Sequence, residues 1–248
     1  MRTGAMRIVW DAAAMPHPLL VADEVAALQG QTAERLKALG ILRRGRTATA
    51  VGCEACELEH LERVEAAPGP DGATRFFIPC PEQGRVEVSR ERLQQWLLDF
   101  TPIAAAIGRS LEASGEPEVV RPGRLWRLGE AALAGRLHEL WMIRGAFWSG
   151  GPEILPLTAR RGVPLFFILG EAPAEGLASL DPRRSFEVAA LVTLDGDGLQ
   201  VDAGAVERRL RPAPRPRARP RPSTGVRLRR PALAVQCLSL FPSPDAEA

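Results

Sequence analysis

The sequence predicts an α+β protein in three parts: a small N-terminal domain over residues 1–115, a mixed α+β domain over 124–210, and a disordered tail over 211–248. Three observations carry that division. Apolar residues alternate in short runs, typical of strands, between short segments with helical spacing. Cys53, Cys56 and Cys80 are crowded into the first part. From Arg211 onward proline and arginine alternate with too little apolar surface to offset the entropy of ordering.

The composition is that of a soluble globular chain: 248 residues, 46% apolar and 25% charged. No apolar run approaches the ~20 residues of a membrane span, and the longest compact one, Leu165–Leu169, reads as a buried strand. Asp11 interrupts any export-signal core behind Arg2 and Arg7, so the expected location is cytoplasmic. Lys37 is the only lysine, and the other cations are arginines, as a GC-rich coding region yields. Ten of them lie between Arg208 and Arg230, where there is no acid, so residues 1–207 carry a net charge of −6.

Residues 1–18, with Pro16 and Pro18, read as loose. A helix over Leu20–Leu28 carries Val21, Val25 and Leu28; a second over Thr32–Leu39 has Thr32 as N-cap and Gly40 just past its end. Ile41–Val51 reads as a basic β-hairpin turning at Arg44-Gly45. A helix followed by such a hairpin resembles the recognition helix and wing of a winged helix, one helix short. The resemblance covers about thirty residues and implies DNA contact by Arg35, Lys37, Arg43, Arg44 and Arg46.

Pro68-Gly69-Pro70-Asp71-Gly72 predicts a turn before a strand over Thr74–Pro79, and Val86 and Val88 mark another strand. Ser89 is expected to cap a helix carrying Leu93, Trp96 and Leu97, and Thr101-Pro102 to open a further helix ending near Ser114-Gly115. Glu116–Gly123 reads as a boundary. Beyond it, Leu125–Leu128 and Leu137–Ile143 predict paired strands, Ile154–Arg161 a short helix, and Val163–Leu169 a buried strand. Phe186–Leu194 and Leu199–Val201 bracket the turn Asp195–Gly198, and a last helix spans Ala203–Leu210.

Cys53-Glu54-Ala55-Cys56 is a C-x2-C, the spacing at which two thiolates of one turn reach a single Zn²⁺. A helix over Glu57–Val64 would set His60 one turn from Cys56, and the turn at 68–72 would return Cys80 beside Cys53. The expected site is Cys53, Cys56, His60 and Cys80 around zinc; without His60 the fourth ligand would be Glu57, Glu59 or a distant residue. The competing reading of the same C-x2-C is a thiol redox pair, which leaves Cys80 unexplained.

No phosphate loop, nucleophile elbow or H-E-x-x-H occurs. His138-Glu139 lacks a second histidine, and the loop beginning at Asp195 has Val206 where a calcium loop needs glutamate. The expected function is therefore a zinc-binding, non-enzymatic, DNA-binding or regulatory protein. The alternative is a zinc-stapled scaffold for a protein partner, which the acidity of residues 1–207 favours. Neither a membrane nor a small-molecule substrate is expected.

Overall fold

The computed structural model describes residues 4–28, 30–58, 60–148, 153–154, 163–170, 180–196 and 198–211. Contacts divide the chain into Met1–Arg211 and Pro212–Ala248. The expected tail with Cys237, Asp197 of the expected turn and most of the expected helix at 154–161 lie outside the described residues. The rest is α+β, with six helices and five small sheets among the described residues.

Contrary to the expectation of a loose start, Gly4–Ala13 is a helix, α1. Met6, Val9, Trp10 and Ala13 recur at spacings of three and four and are all buried in the main core. Pro16 and Pro18 end this helix rather than dissolve it. Next come β1 (Leu19–Val21), α2 (Ala22–Ala26) and α3 (Thr32–Ala38). The expected first helix thus begins with a strand. Thr32 is the first helical residue and is buried, with Gln31 at the cap, while Gly40 takes the left-handed conformation (φ +72°) that ends the helix.

The expected hairpin at 41–51 is not formed. Leu42–Thr47 is one strand, β2, running through Arg44-Gly45 and pairing with β8 (Gln94–Leu98) in the order β1-β8-β2. Gly45 is there for clearance: a Cβ would lie 3.1 Å from the Gln95 carbonyl oxygen and 3.3 Å from the Leu97 side chain. With no wing behind α3, the winged-helix expectation is not confirmed. The helix expected after Ser89 is β8 itself. Ser89 Oγ does accept the Arg92 N–H at 3.2 Å, but only a turn follows, and alternation then buries Leu98 and leaves Leu97 half exposed.

Between β2 and β8 lie β3 (Ala50–Gly52), β4 (Leu61–Arg63), β5 (Glu65–Pro68), β6 (Thr74–Cys80) and β7 (Gly84–Val88). β3 and β4 form a hairpin, and β5-β6-β7 a meander whose first turn is the expected one. This segment has its own small core of Cys53, Ile78, Cys80, Val88 and Leu93.

After β8 the chain enters α4 (Thr101–Ser110), opened by Pro102 as expected, and then the main sheet. That sheet comprises β9 (Glu118–Arg121), β10 (Leu125–Leu133), β11 (Arg136–Arg144), β12 (Val163–Leu169) and β13 (Ser185–Glu187), in the order β13-β12-β11-β10-β9. The expected pairing of β10 with β11 is present; they join through Ala134 and Gly135, both at positive φ. β11, β12 and β13 are parallel.

Alternation buries both faces of this sheet. Leu140, Met142, Leu165, Phe167 and Leu169 join the core with α1, while Trp141, Ile143, Phe166 and Ile168 build a second cluster. α5 (Val188–Leu191), β14 (Val192–Asp195), β15 (Gly198–Val201) and α6 (Ala203–Leu210) complete the unit. The main core runs without interruption from α1 and α3 through α4 into the main sheet, so residues 116–123 fall inside one compact unit.

Candidate metal centre

Cys53 follows β3, and its N–H donates to the His60 carbonyl at 2.9 Å, so the two residues face each other across the mouth of the β3–β4 hairpin. The loop between them carries Cys56 back, with 3.8 Å between the Cys53 and Cys56 sulfurs. Cys80 ends β6, and its Sγ accepts the Gln83 N–H at 3.4 Å from the turn into β7. All four ligand atoms lie within 4.8 Å of one another. Tetrahedral thiolates ~2.3 Å from a metal stand roughly 3.8 Å apart, so the cluster needs only a small contraction to close on an ion.

His60 arrives by a different route from the one expected. Glu57–Val64 is not helical; it forms a loop and then β4, and hairpin pairing rather than a helical turn places the ring. His60 Nδ1 lies 3.0 Å from Glu62 Oε1, and Nε2 is buried without a hydrogen-bond partner. A ring held by a carboxylate at one nitrogen and bare at the other is arranged as a metal ligand. Glu57 is exposed, and Glu59 lies outside the described residues.

The thiols are coupled: Cys56 helps Cys80 to ionise, and the Cys80 and Cys53 sulfurs resist the ionisation of Cys56. Burial resists ionising Cys80, yet the Gln83 and Glu82 N–H groups, the His60 ring and Cys56 outweigh it and bring this thiol down to about 6. For Cys56 the Leu58 N–H favours the thiolate, but burial and the Cys80 and Cys53 sulfurs push it up to about 11. The Cys80 sulfur raises His60, burial works against the rise and Glu62 adds to it. A divalent cation would resolve this crowding by letting all three thiols ionise.

Two supporting residues escaped the sequence reading. Glu62 shares a strand face with His60, a relation invisible while the segment is read as helix. Arg92 donates to the Gly52 carbonyl at 2.7 Å, pairs with Glu54 at 2.7 Å and lies 3.8 Å from Asp23 of α2. Forty residues from the loop that it braces, it carries no local signal. Glu62→Gln is expected to keep the fold and weaken metal affinity about 10- to 100-fold, because the ring loses its charged orienting partner. Competitive titration against a chromophoric chelator measures this, and unchanged affinity would show that Glu62 does not hold the ring.

The redox arrangement lacks its helix: bends and turns follow Cys53, so no helix N-terminus stands at the C-x2-C. His138 is buried with Nδ1 3.3 Å from the Val163 carbonyl, and Glu139 pairs with Arg127 at 2.7 Å, so both serve the main sheet.

The basic residues divide. Lys37 is paired with Glu34 at 2.7 Å and sits over the Trp96 ring at 4.4 Å, and Arg43 is paired with Asp99 at 2.7 Å. Arg44 donates to the neutral Gln94 side chain. Arg35 and Arg46 are exposed and have no acidic partner among the described residues. Among the described residues, no helix is long and apolar enough to cross a membrane. The chain matches no family model, and no curated protein or solved structure matches it.

Proposed function

We propose that this chain is a cytoplasmic, zinc-stapled, non-enzymatic protein that contacts nucleic acid through α3 and β2. The observation that carries the zinc reading is the bare, buried His60 Nε2 beside three sulfurs within 4.8 Å. Three thiolates and an imidazole are a donor set that suits Zn²⁺, and four protein ligands leave no open position for chemistry. Free thiols in this number fit a reducing compartment.

Of the five cations Arg35, Lys37, Arg43, Arg44 and Arg46 on one helix and the strand after it, the nucleic-acid reading is supported by Arg35, Arg44 and Arg46, since Lys37 and Arg43 are held in ion pairs with Glu34 and Asp99. Elemental analysis of protein purified without added metal is expected to give one zinc per chain. The Arg35→Ala/Arg46→Ala double variant is expected to bind a DNA oligonucleotide more weakly, with a log K against log salt slope shallower by about 2. Metal-free protein with intact thiols would end the zinc reading, and absence of DNA binding at low salt would end the other.

One observation favours a protein partner instead. Leu58 and Leu61 of the metal hairpin are 56% and 71% exposed, and residues 1–207 are net acidic.

A further inference from the structure

A cavity of about 580 Å³ opens between α2, α3 and the β2–β8 pair. Its volume is in the range that takes a ligand of nucleotide size. One wall is apolar, from Ala22, Val25 and Ala26 of α2, and the indole of Trp96 on β8 forms another. Lys37, Arg44 and Arg90 bring three cations to it against the two carboxylates Glu34 and Glu91. Glu34 is spent on Lys37. Arg44 is bonded only to neutral Gln94, and Arg90 has no acidic partner among the described residues, its guanidinium lying 5.8 Å from the Phe76 ring centroid.

From this combination we infer that the cavity binds a nucleotide unit, its base displacing the Lys37 ammonium from the Trp96 face and lying against the α2 wall, and its phosphate held by Arg44 and Arg90. The unit is either a free nucleotide or one nucleotide of a single strand. A base inside a duplex is stacked and paired, and cannot lie flat against the Trp96 ring without being extruded. Glu91 is placed to accept from an exocyclic amino group, as carboxylates do on base edges. In a single-stranded complex the exposed Arg35 and Arg46, on the same helix and strand, are available to the neighbouring phosphates. This inference deepens the nucleic-acid reading above and rests on it for the single-strand source.

The test uses the full-length, zinc-loaded chain with three probes: adenosine 5′-monophosphate, a mixed-sequence single-stranded DNA dodecamer, and the same dodecamer as a duplex. The dodecamer is expected to bind more tightly as a single strand than as a duplex. Trp96→Ala should weaken single-strand binding about tenfold or more, while Trp96→Phe, which keeps an aromatic face, stays near the parent. Arg44→Ala/Arg90→Ala changes two exposed side chains, leaves folding untouched, and should also weaken the single strand. Binding of the mononucleotide with no gain from the strand would uphold the cavity and overturn the nucleic-acid reading. Equal single-strand binding by the parent and all variants would overturn the cavity and leave that reading intact. No binding of any probe would overturn both.

Discussion

Cys80→Ser is expected to lose the metal and unfold the segment between β2 and β8 while the main sheet stays folded. The core of that segment has five buried side chains, two of which are Cys53 and Cys80 of the candidate metal cluster. Without the ion, Ile78, Val88 and Leu93, with half-buried Val51, Val64, Phe76 and Val86 packed against them, are left to hold five short strands. Structural zinc is worth roughly 10 kcal/mol or more to small zinc modules, enough to decide whether a core of this size holds. By hydrogen exchange, the amides of β4, β6 and β7 should lose protection and those of β10 and β11 keep it, and a chelator should do the same to the parent chain. Parallel loss in β10 and β11 would show that the segment is not independent; retained protection in β6 would show that the ion is not its staple.

Arg144→Met is the second large effect, expected to cost about 3–5 kcal/mol of global stability. Arg144 is 2% exposed and ends β11 beneath the C-terminus of α1. Its guanidinium donates to the Ala13 carbonyl at 2.7 Å, to Gly123 at 3.1 Å, and to the carbonyls of Met15 and Pro16. The Phe100 and Trp148 ring centroids lie 5.1 and 4.7 Å away. Burial and then the Arg124 charge lower this group to about 10, so it stays charged at neutral pH. Methionine fills similar space but leaves the carbonyls ending α1 without donors. A urea titration measures the loss. An unchanged midpoint would mean that relief from burying the charge offsets the lost hydrogen bonds.

Three strands of the main sheet, β10, β11 and β12, were legible because both their faces are buried and their residues are long and apolar, whereas β9 lies in the stretch read as a boundary and the strand order was not legible. Leu137–Ile143 and Val163–Leu169 admit little else. The cluster of Cys53, Cys56, His60 and Cys80 was legible for a different reason, since thiols at that spacing have few uses other than metal binding or redox chemistry. What failed was local geometry. Leu93, Trp96 and Leu97 match the spacing of a helix face as well as they match a strand, and only pairing with β1 and β2 decides between them. Gly45 reads as a turn residue until the β8 backbone is placed against it. Arg43 reads as a free cation until Asp99, far along the chain, is brought to 2.7 Å. Each of these misreadings concerns a partner distant in sequence, to which short-range spacing is blind.

Thr47 and Gln94 face each other in the β2–β8 register, with residues 48–93 looped out between them. Joining the ends of a flexible loop of that length costs about 3 kcal/mol or more in chain entropy, due before β2 and β8 gain anything from pairing. An ion clamping 53 and 56 to 80 shortens the effective loop and refunds part of that cost ahead of time. A metal held there would enter the folding rate of a sheet whose strands do not ligate it, by making a distant pairing a nearer one.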